Sequence, residues 1–226
     1  MVRRAPAPTG GGRVSGPHES HSVRQAPYFF LSYAHVPYVR SDPGGPDRHL
    51  VEFYEHLFDL IMQLTTVDAT GTQAFLDRRI PLGAEWEKHL KHALATCQVF
   101  VPVYSPRYFR SEWCGKEWDA FERRQQHHRK SRPHTVTPIV PVWWVSPKRV
   151  HVPAVARRLQ HTRMDLGAEY QQKGLFGLMA EGRRTRYRQA VWGIAQAIVE
   201  VAETARLDPC DVALFENLRN VFQEDQ

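Results

Sequence analysis

The stretch from Ser111 to Phe121, SEWCGKEWDAF, places a carboxylate among aromatic side chains. A helix turns by about 100° per residue, so Glu117 falls within an arc of apolar residues. That arc comprises Trp113, Cys114, Trp118 and Phe121. Buried acids are normally paired, so one interpretation is an ion pair with a base such as Arg107 or Arg110. The other is that the acid faces a cationic group, which it attracts more strongly where the local dielectric is low.

Other motifs with well-known chemistry are missing from the sequence. It contains no GxGxxG, GxSxG, HExxH or CxxC pattern. The three cysteines, Cys97, Cys114 and Cys210, are widely spaced, which predicts free thiols and a cytoplasmic location. The basic run from Arg123 to His134 offers neither a complete metal-ligand set nor aromatic stacking platforms. We therefore predict no metal and no cofactor, and a solvated basic surface in preference to a nucleic-acid interface.

The bulk composition is that of one globular domain with additional terminal segments. The chain has 226 residues, of which 42% are hydrophobic, and a formal charge of +6. This length suits one core of ordinary size. No apolar run reaches the roughly 18 residues that a membrane span needs, so we predict no membrane association. Residues 1–26 are rich in Gly, Pro, Ser and Arg and lack the apolar stretch of a secretion signal, which predicts a disordered arm.

Apolar runs alternate with amphipathic stripes along the rest of the chain. Five runs are typical of strands: 28–33, 73–77, 98–105, 136–144 and, more weakly, 159–164. Four stripes have helical spacing: 53–64, 86–97, 111–121 and 191–202. Pro138 and Pro141 place the fourth strand near an edge or make it irregular. Because short strands alternating with helices form parallel sheets, we predict an α/β fold with a flavodoxin-like, doubly wound, mainly parallel sheet of about five strands.

The predicted domain covers residues 27–205, and a C-terminal tail, 206–226, follows it. Ligands on doubly wound sheets bind beyond the carboxyl ends of the strands. Ser32 and Tyr33 end the first predicted strand, and the helix that carries Glu117 begins just after the third. These residues are therefore predicted to share one rim, where Ser32 and Tyr33 either line a ligand site or serve as a turn residue and a packed aromatic residue.

Three segments in order resemble the TIR domain family. They are FFLSYAH at the first strand, FLDRRIPLGAEW at the loop after the second, and PVYSPRYFRSEWCGKEW at the third strand and helix. The resemblance covers about residues 27–205. The segment ALATCQVFVPVYSPRYF is similar in sequence to the bacterial TIR-like proteins of the FxsC type. The long Pro/Gly-rich segment after the first strand and residues 145–186 depart from the family pattern.

The resemblance implies a TIR fold and self-association through the loop after the second strand. In this sequence the loop comprises Asp77, Arg78, Arg79, Ile80, Pro81, Leu82 and Gly83. The resemblance also implies that some members cleave the nicotinamide–ribose bond of NAD+ with a glutamate on the third helix. Glu117 occupies that position, and Trp113 matches an aromatic residue that precedes the glutamate. Arg78 or Arg79, with Arg78 preferred, is a candidate for contact with the pyrophosphate of NAD+, and the alternative for the whole loop is a solvated charged turn.

Two classes of function follow from this resemblance. The first is an NAD+ glycohydrolase that becomes active on self-association, with Glu117 as the catalytic residue and Ser32, Tyr33, Arg78 and Trp113 around the nucleotide. The second is a noncatalytic module that recruits other TIR or signalling proteins through the same surfaces. A third and weaker option is nucleotide binding without cleavage. NAD+ is a substrate in the first hypothesis, and none of the three requires a resident cofactor.

Overall fold

A computed structural model describes residues 26–37, 45, 47–66, 84–159 and 166–223. Several sequence predictions lie outside these residues. They are the arm before residue 26, the second strand at 73–77, the loop Asp77–Gly83 with Arg78, and nearly all of the weak fifth strand. None of the helices in the described part of the chain is both long and apolar enough to cross a membrane.

The described residues form three strands, six helices and three short 3₁₀ turns. The strands are β1 (Phe29–Ser32), β2 (Val99–Tyr104) and β3 (Val142–Trp143). The helices are α1 (Arg48–Leu64), α2 (Ala84–Thr96), α3 (Glu112–Ser131), α4 (Ala154–Arg157), α5 (Ala168–Ala180) and α6 (Arg184–Ala205). The 3₁₀ turns span Tyr108–Arg110, Pro147–Arg149 and Val212–Phe215. The predicted first, third and fourth strands and all four predicted helices are present at these positions.

The sheet is parallel, with the strand order β1-β2-β3. Its longest pairing runs from Phe29 opposite Val99 to Ser32 opposite Pro102. Both strands are buried along their whole length, as expected for a parallel sheet that is covered on two faces. The α/β class and the parallel sheet are thus confirmed, whereas the described residues account for three of the about five strands that the sequence predicts.

Strand β3 is much shorter than the predicted run 136–144. Alternate residues of β2 bond to this segment: Phe100 donates to the Pro138 carbonyl at 3.0 Å, and Trp144 donates to the Tyr104 carbonyl at 3.0 Å. Pro102 stands between these two positions and has no N–H to donate. The ladder is therefore interrupted, and the pairing is reduced to an isolated bridge at Ile139 and the two residues of β3.

Helices cover both faces of the sheet. One face carries α1, α5 and α6, whose buried residues include Phe53, Leu57, Leu175, Ile194 and Ile198. The other face carries α2 and α3, whose buried residues include Leu90, Leu94, Trp118 and Phe121. This two-sided arrangement is that of a doubly wound sheet. The apolar stripe predicted at 53–64 lies in α1 and points into the first of these layers.

Residues 145–186, which no sequence pattern assigned clearly, contain α4 and a broken α5. The break is at Gly174, where φ is 68° and ψ is 176°. A Cβ atom at this position would lie 2.7 Å from the carbonyl carbon and oxygen of Trp144. The break lets the Phe176 N–H bond the same Trp144 carbonyl at 2.8 Å. Gly174 is therefore required both by its backbone angles and by the close approach of the chain after β3.

The C-terminal segment, defined here as residues 206–223, packs along α2 and α3. Phe215 and Phe222 are its buried aromatic anchors. Its docking corrects one sequence interpretation, because the basic run from Arg123 to His134 is not a fully solvated face. Arg124 and His128 in that run are buried, since the C-terminal segment and the end of α2 cover that side of the helix.

Candidate functional site

Helix α3 begins at the carboxyl edge of the sheet, just after β2. The 3₁₀ turn Tyr108–Arg110 joins the two elements. Ser111 then caps the helix, because its side chain accepts a hydrogen bond from the Cys114 N–H at 3.3 Å. A serine cap and the acidic Glu112 in the first turn both favour a helix start here. Glu117 consequently lies in the second turn, close to the ends of the strands.

Glu117 is held by the residue that ends β1. Its carboxylate oxygen Oε2 accepts a hydrogen bond from the Ser32 hydroxyl. Glu117 is 8% exposed and Ser32 is 1% exposed, so the acid is neither turned into bulk water nor completely sealed. The predicted meeting of the first strand and the third helix at one rim is thus observed in the contact between these two side chains.

A second hydroxyl lies behind Ser32. The Tyr108 hydroxyl is 3.0 Å from Ser32 Oγ, and Tyr108 is fully buried. A serine hydroxyl has one proton. Because Ser32 donates it to Glu117, Tyr108 is the donor in the second bond. The result is a chain of donors from Tyr108 through Ser32 to the carboxylate.

Two groups close to Glu117, the Tyr108 phenol and the Cys114 thiol, are neutral donors. Burial raises the pKa of the Tyr108 phenol well above its ordinary value, and the nearby Cys114 and Glu117 add to this effect. Burial, followed by Glu117, likewise raises the pKa of the Cys114 thiol well above its ordinary value. Both groups therefore keep their protons at neutral pH. Tyr108 remains able to donate to Ser32, and the thiol is not activated as a nucleophile.

Trp113 is not buried with the rest of its arc. Its ring is 45% exposed, and the Lys116 ammonium lies 5.3 Å from the ring centroid. Trp113 thus differs from the other apolar members of the arc, Cys114, Trp118 and Phe121, which are buried. Ala120 and Arg124, which lie in line with Trp113 further along the helix, are buried. On this side of the helix, the first turn is therefore exposed and the later turns are covered.

The backbone after β1 is tied to the start of α1. Tyr33 is half-buried, and its ring meets that of His35 edge-on with centroids 4.8 Å apart. His35 Nδ1 lies 2.9 Å from Asp47 Oδ2, and the Val36 N–H donates to Asp47 Oδ1 at 3.2 Å. The sequence did not indicate Asp47 or Tyr108 as part of the site, since neither stands in a recognisable motif.

These contacts place the candidate site at the point where the connections diverge. Helix α1, which follows β1, covers one face of the sheet, while α3, which follows β2, covers the other. The crevice between neighbouring strands whose helices leave in opposite directions is the usual ligand site of a doubly wound sheet. Ser32 and Glu117 meet at this point, with Tyr33 and Trp113 at the same edge. In the described part of the chain, no group of three His, Cys, Asp or Glu residues is arranged to hold a metal ion.

A match to a protein-family model agrees with this architecture. Residues 64–175 match the model of the TIR domain family, a segment that includes Glu117 and two of the three motifs quoted above. Among solved structures, one of the TIR domains of the activated Roq1 resistosome, which directly recognises the pathogen effector XopQ, has 22% sequence identity and a TM-score of 0.34. That likeness covers 74% of this chain and 82% of the other, and at this TM-score it supports no conclusion about this chain. The comparison with curated proteins finds no match.

Proposed function

The chain carries a TIR domain, and from this premise we propose that it is a signalling protein that cleaves the nicotinamide–ribose bond of NAD+. The observation that carries the proposal is the position of Glu117. It is a nearly buried carboxylate at the carboxyl edge of the sheet, oriented by Ser32, in the segment that matches the family model. The finer resemblance to the FxsC type stays a prediction, as does a cytoplasmic location, with which the three free thiols are compatible.

The reaction needs one negative charge and little else. The bond between ribose C1′ and the nicotinamide nitrogen breaks, and its electron pair goes to the nitrogen, so that a cationic ring leaves as neutral nicotinamide without a proton donor. The ribose carbon then carries the positive charge, until water adds to it and releases a proton. The products are ADP-ribose, nicotinamide and one proton. The paired carboxylates of most glycosidases are therefore not required.

Glu117 supplies the negative charge that such a transition state calls for. A fixed carboxylate of low exposure stabilises a cationic sugar more strongly than a solvated one, because fewer water molecules screen it. The hydroxyl chain from Tyr108 through Ser32 keeps the carboxylate at a fixed position, which reduces the reorganisation needed during the reaction. In the same proposal, the exposed ring of Trp113 stacks on the nicotinamide or the ribose. Tyr33 lines the crevice and Arg78 contacts the pyrophosphate.

Self-association through Asp77–Gly83 is part of the proposal. Pro81 restricts this loop, which lowers the ordering penalty when the loop docks on a neighbour. We propose that the neighbouring subunit completes the nucleotide site, so that NAD+ is cleaved only in the assembled state. Other TIR proteins are the other partners that we propose for these surfaces.

The test is nicotinamide release from NAD+ over a range of protein concentrations that spans self-association, as followed by sedimentation. We expect turnover to rise with assembly and to fall by about 10²–10³-fold in Glu117→Gln, the range found when one electrostatic group is removed from an active site. Glu200→Gln, an exposed acid on α6, is the matched control and should retain full turnover.

Two results would contradict the proposal. If the assembled wild-type protein leaves NAD+ intact, the enzymatic function is wrong and a noncatalytic interaction module remains. If such a protein nevertheless binds NAD+ saturably, the option of nucleotide binding without cleavage is favoured. If Glu117→Gln turns over NAD+ at the wild-type rate, the site is wrong even though the activity is present.

A further inference from the structure

The C-terminal segment is fixed to α3 by two buried or half-buried arginines. Arg124 donates to the carbonyls of Leu207 and Asp208, at 3.3 Å and 3.0 Å. Arg123 donates to the carbonyls of Glu216 and Asn217, at 2.7 Å and 3.0 Å. These acceptors fix the path of the segment along the helix from Leu207 to Asn217.

The end of this segment lies over the first two turns of α3. The Arg219 N–H donates to Asp119 Oδ2 at 2.8 Å. Asn220 packs so tightly on Gly115 that a Cβ atom there would lie 1.9 Å from Asn220 Oδ1 and 3.2 Å from Asn220 Cα. The part of the helix that carries Glu117 is thus covered by residues about 100 positions further along the chain.

Phe222 inserts into the ring cluster beside the candidate site. Its ring centroid lies 5.6 Å from that of Tyr108, 5.1 Å from that of Phe109 and 5.7 Å from that of Trp118. Tyr108 is the residue that donates to Ser32. The position of the phenol therefore depends on the packing of Phe222 against it, since Phe222 is itself almost fully buried.

We infer that Phe222 is a positioning residue for Glu117, acting through Tyr108 and Ser32. It touches neither the substrate nor the carboxylate. It holds the phenol so that the Ser32 hydroxyl remains aimed at the carboxylate, and any event that lifts the end of the C-terminal segment disturbs that alignment. The inference rests on the proposed function for its effect on catalysis, while its structural part is testable without NAD+.

The structure provides a matched comparison within the same segment. Phe215 is as deeply buried as Phe222, but it lies in the 3₁₀ turn Val212–Phe215, which packs against α2 and α3. Truncation of either ring removes a similar buried aromatic side chain. A general loss of packing therefore affects both variants, whereas loss of positioning affects only Phe222→Ala.

Cys114 reports on the same pocket independently of NAD+. Cys114 is 1% exposed, and its thiol lies close enough to Ser32 and Glu117 for both to influence its pKa. In the wild-type protein it should resist a maleimide reagent. When the Tyr108–Ser32 arrangement loosens, Cys114 should react, and mass spectrometry distinguishes it from Cys97 and Cys210.

The experiment compares full-length Phe222→Ala, Phe215→Ala and Phe222→Leu, each confirmed as folded by circular dichroism. We expect Phe222→Ala to reduce kcat for nicotinamide release at least tenfold with KM within twofold of wild type, and to speed Cys114 labelling at least tenfold. Phe215→Ala should change kcat and the rate of Cys114 labelling by less than twofold. Phe222→Leu should show only a small part of the effects of Phe222→Ala.

Gly115→Ala tests the same contact from the side of the helix, because it displaces Asn220 while introducing the best helix former into α3. It should reproduce the effects of Phe222→Ala.

Equal effects of Phe222→Ala and Phe215→Ala on kcat and on Cys114 labelling would overturn the inference, as would wild-type values of both in Phe222→Ala. If the wild-type protein releases no nicotinamide, the proposed function fails by that result alone. The labelling comparison then decides the inference, which stands if Cys114 is unmasked selectively in Phe222→Ala and falls if it is not.

Discussion

Replacement of Arg124 by methionine should remove a large part of the stability of the domain. The side chain is 1% exposed, and its guanidinium donates to the carbonyls of Leu94 at 2.7 Å and Cys97 at 2.8 Å. It also donates to the carbonyls of Leu207 and Asp208 in the C-terminal segment. Arg124 therefore joins the end of α2 to the segment that follows α6, with α3 between them.

The size of the stability loss follows from the carbonyl groups that methionine leaves without a hydrogen-bond donor. Each buried carbonyl that loses its donor costs about 1–3 kcal/mol. The carbonyls of the buried residues Leu94, Cys97 and Leu207 are affected in full, and that of the exposed residue Asp208 in part. Against this loss, the variant no longer buries a charge, which itself costs several kcal/mol. Because hydrogen bonds from a charged donor are worth about 1.5–3 kcal/mol each, a net loss of about 3–5 kcal/mol is expected once the saved desolvation is subtracted. This is a large share of the roughly 5–15 kcal/mol that stabilises a typical domain.

Urea denaturation followed by tryptophan fluorescence measures the change. With a slope of about 2 kcal/mol per molar urea, the midpoint should fall by roughly 1.5–2.5 M. Arg132→Met is the matched control: Arg132 is about half exposed and its ion pair with Asp208 spans 3.6 Å, so the loss should stay below about 1 kcal/mol. Arg124→Lys should recover only part of the loss, because one ammonium cannot reach both pairs of carbonyls. A midpoint for Arg124→Met within about 0.3 M of wild type would refute the reasoning.

Two further predictions concern the backbone and alkaline pH. Gly174→Ala should lower the free energy of unfolding by at least about 3 kcal/mol, because it combines left-handed strain with a clash against the Trp144 carbonyl. Gly182→Ala is the control: its φ is 67° but the space around it is open, so the loss should be about 1 kcal/mol. Equal urea midpoints for the two variants would contradict the clash. Burial raises the pKa of the Cys97 thiol to about 11, so the native state holds this proton more tightly than the unfolded chain does. The stability that results is fully present below pH 9 and is lost as the pH rises through 11. Cys97→Ala should therefore lose about 3 kcal/mol less than wild type between those pH values, and an identical pH profile in urea unfolding would contradict this.

The parts of the fold that the sequence predicted are those that local patterns determine. The apolar runs of β1 and β2 and the stripe of α1 are visible within a few residues, because burial of a strand or of one helix face needs apolar residues at a fixed period. The shortening of β3 was harder to predict from the sequence. Pro138 and Pro141 predicted an irregular strand, but the interruption of the ladder comes from Pro102, which lies in the neighbouring strand and matters only once the two strands pair.

The contacts that the sequence did not predict join residues far apart in the chain. An arginine in a basic run reads as solvated, and Arg124 is buried only because carbonyls from α2 and from the C-terminal segment converge on it. In the same way, the spacing of α3 indicated that Glu117 faces inward, but gave no sign that Ser32 would be its donor. The exposure of Trp113 depends on which elements cover the first turn of α3, and a helical projection contains no such information.

The two arginines hold the C-terminal segment by its main-chain oxygen atoms, and every residue type presents the same carbonyl. These hydrogen bonds therefore place little constraint on the side chains of the four acceptor residues, as long as the path of the backbone is kept. The side chains that determine the position of the segment lie in α3 instead. They are an adjacent pair of arginines, followed four residues after the second by a histidine.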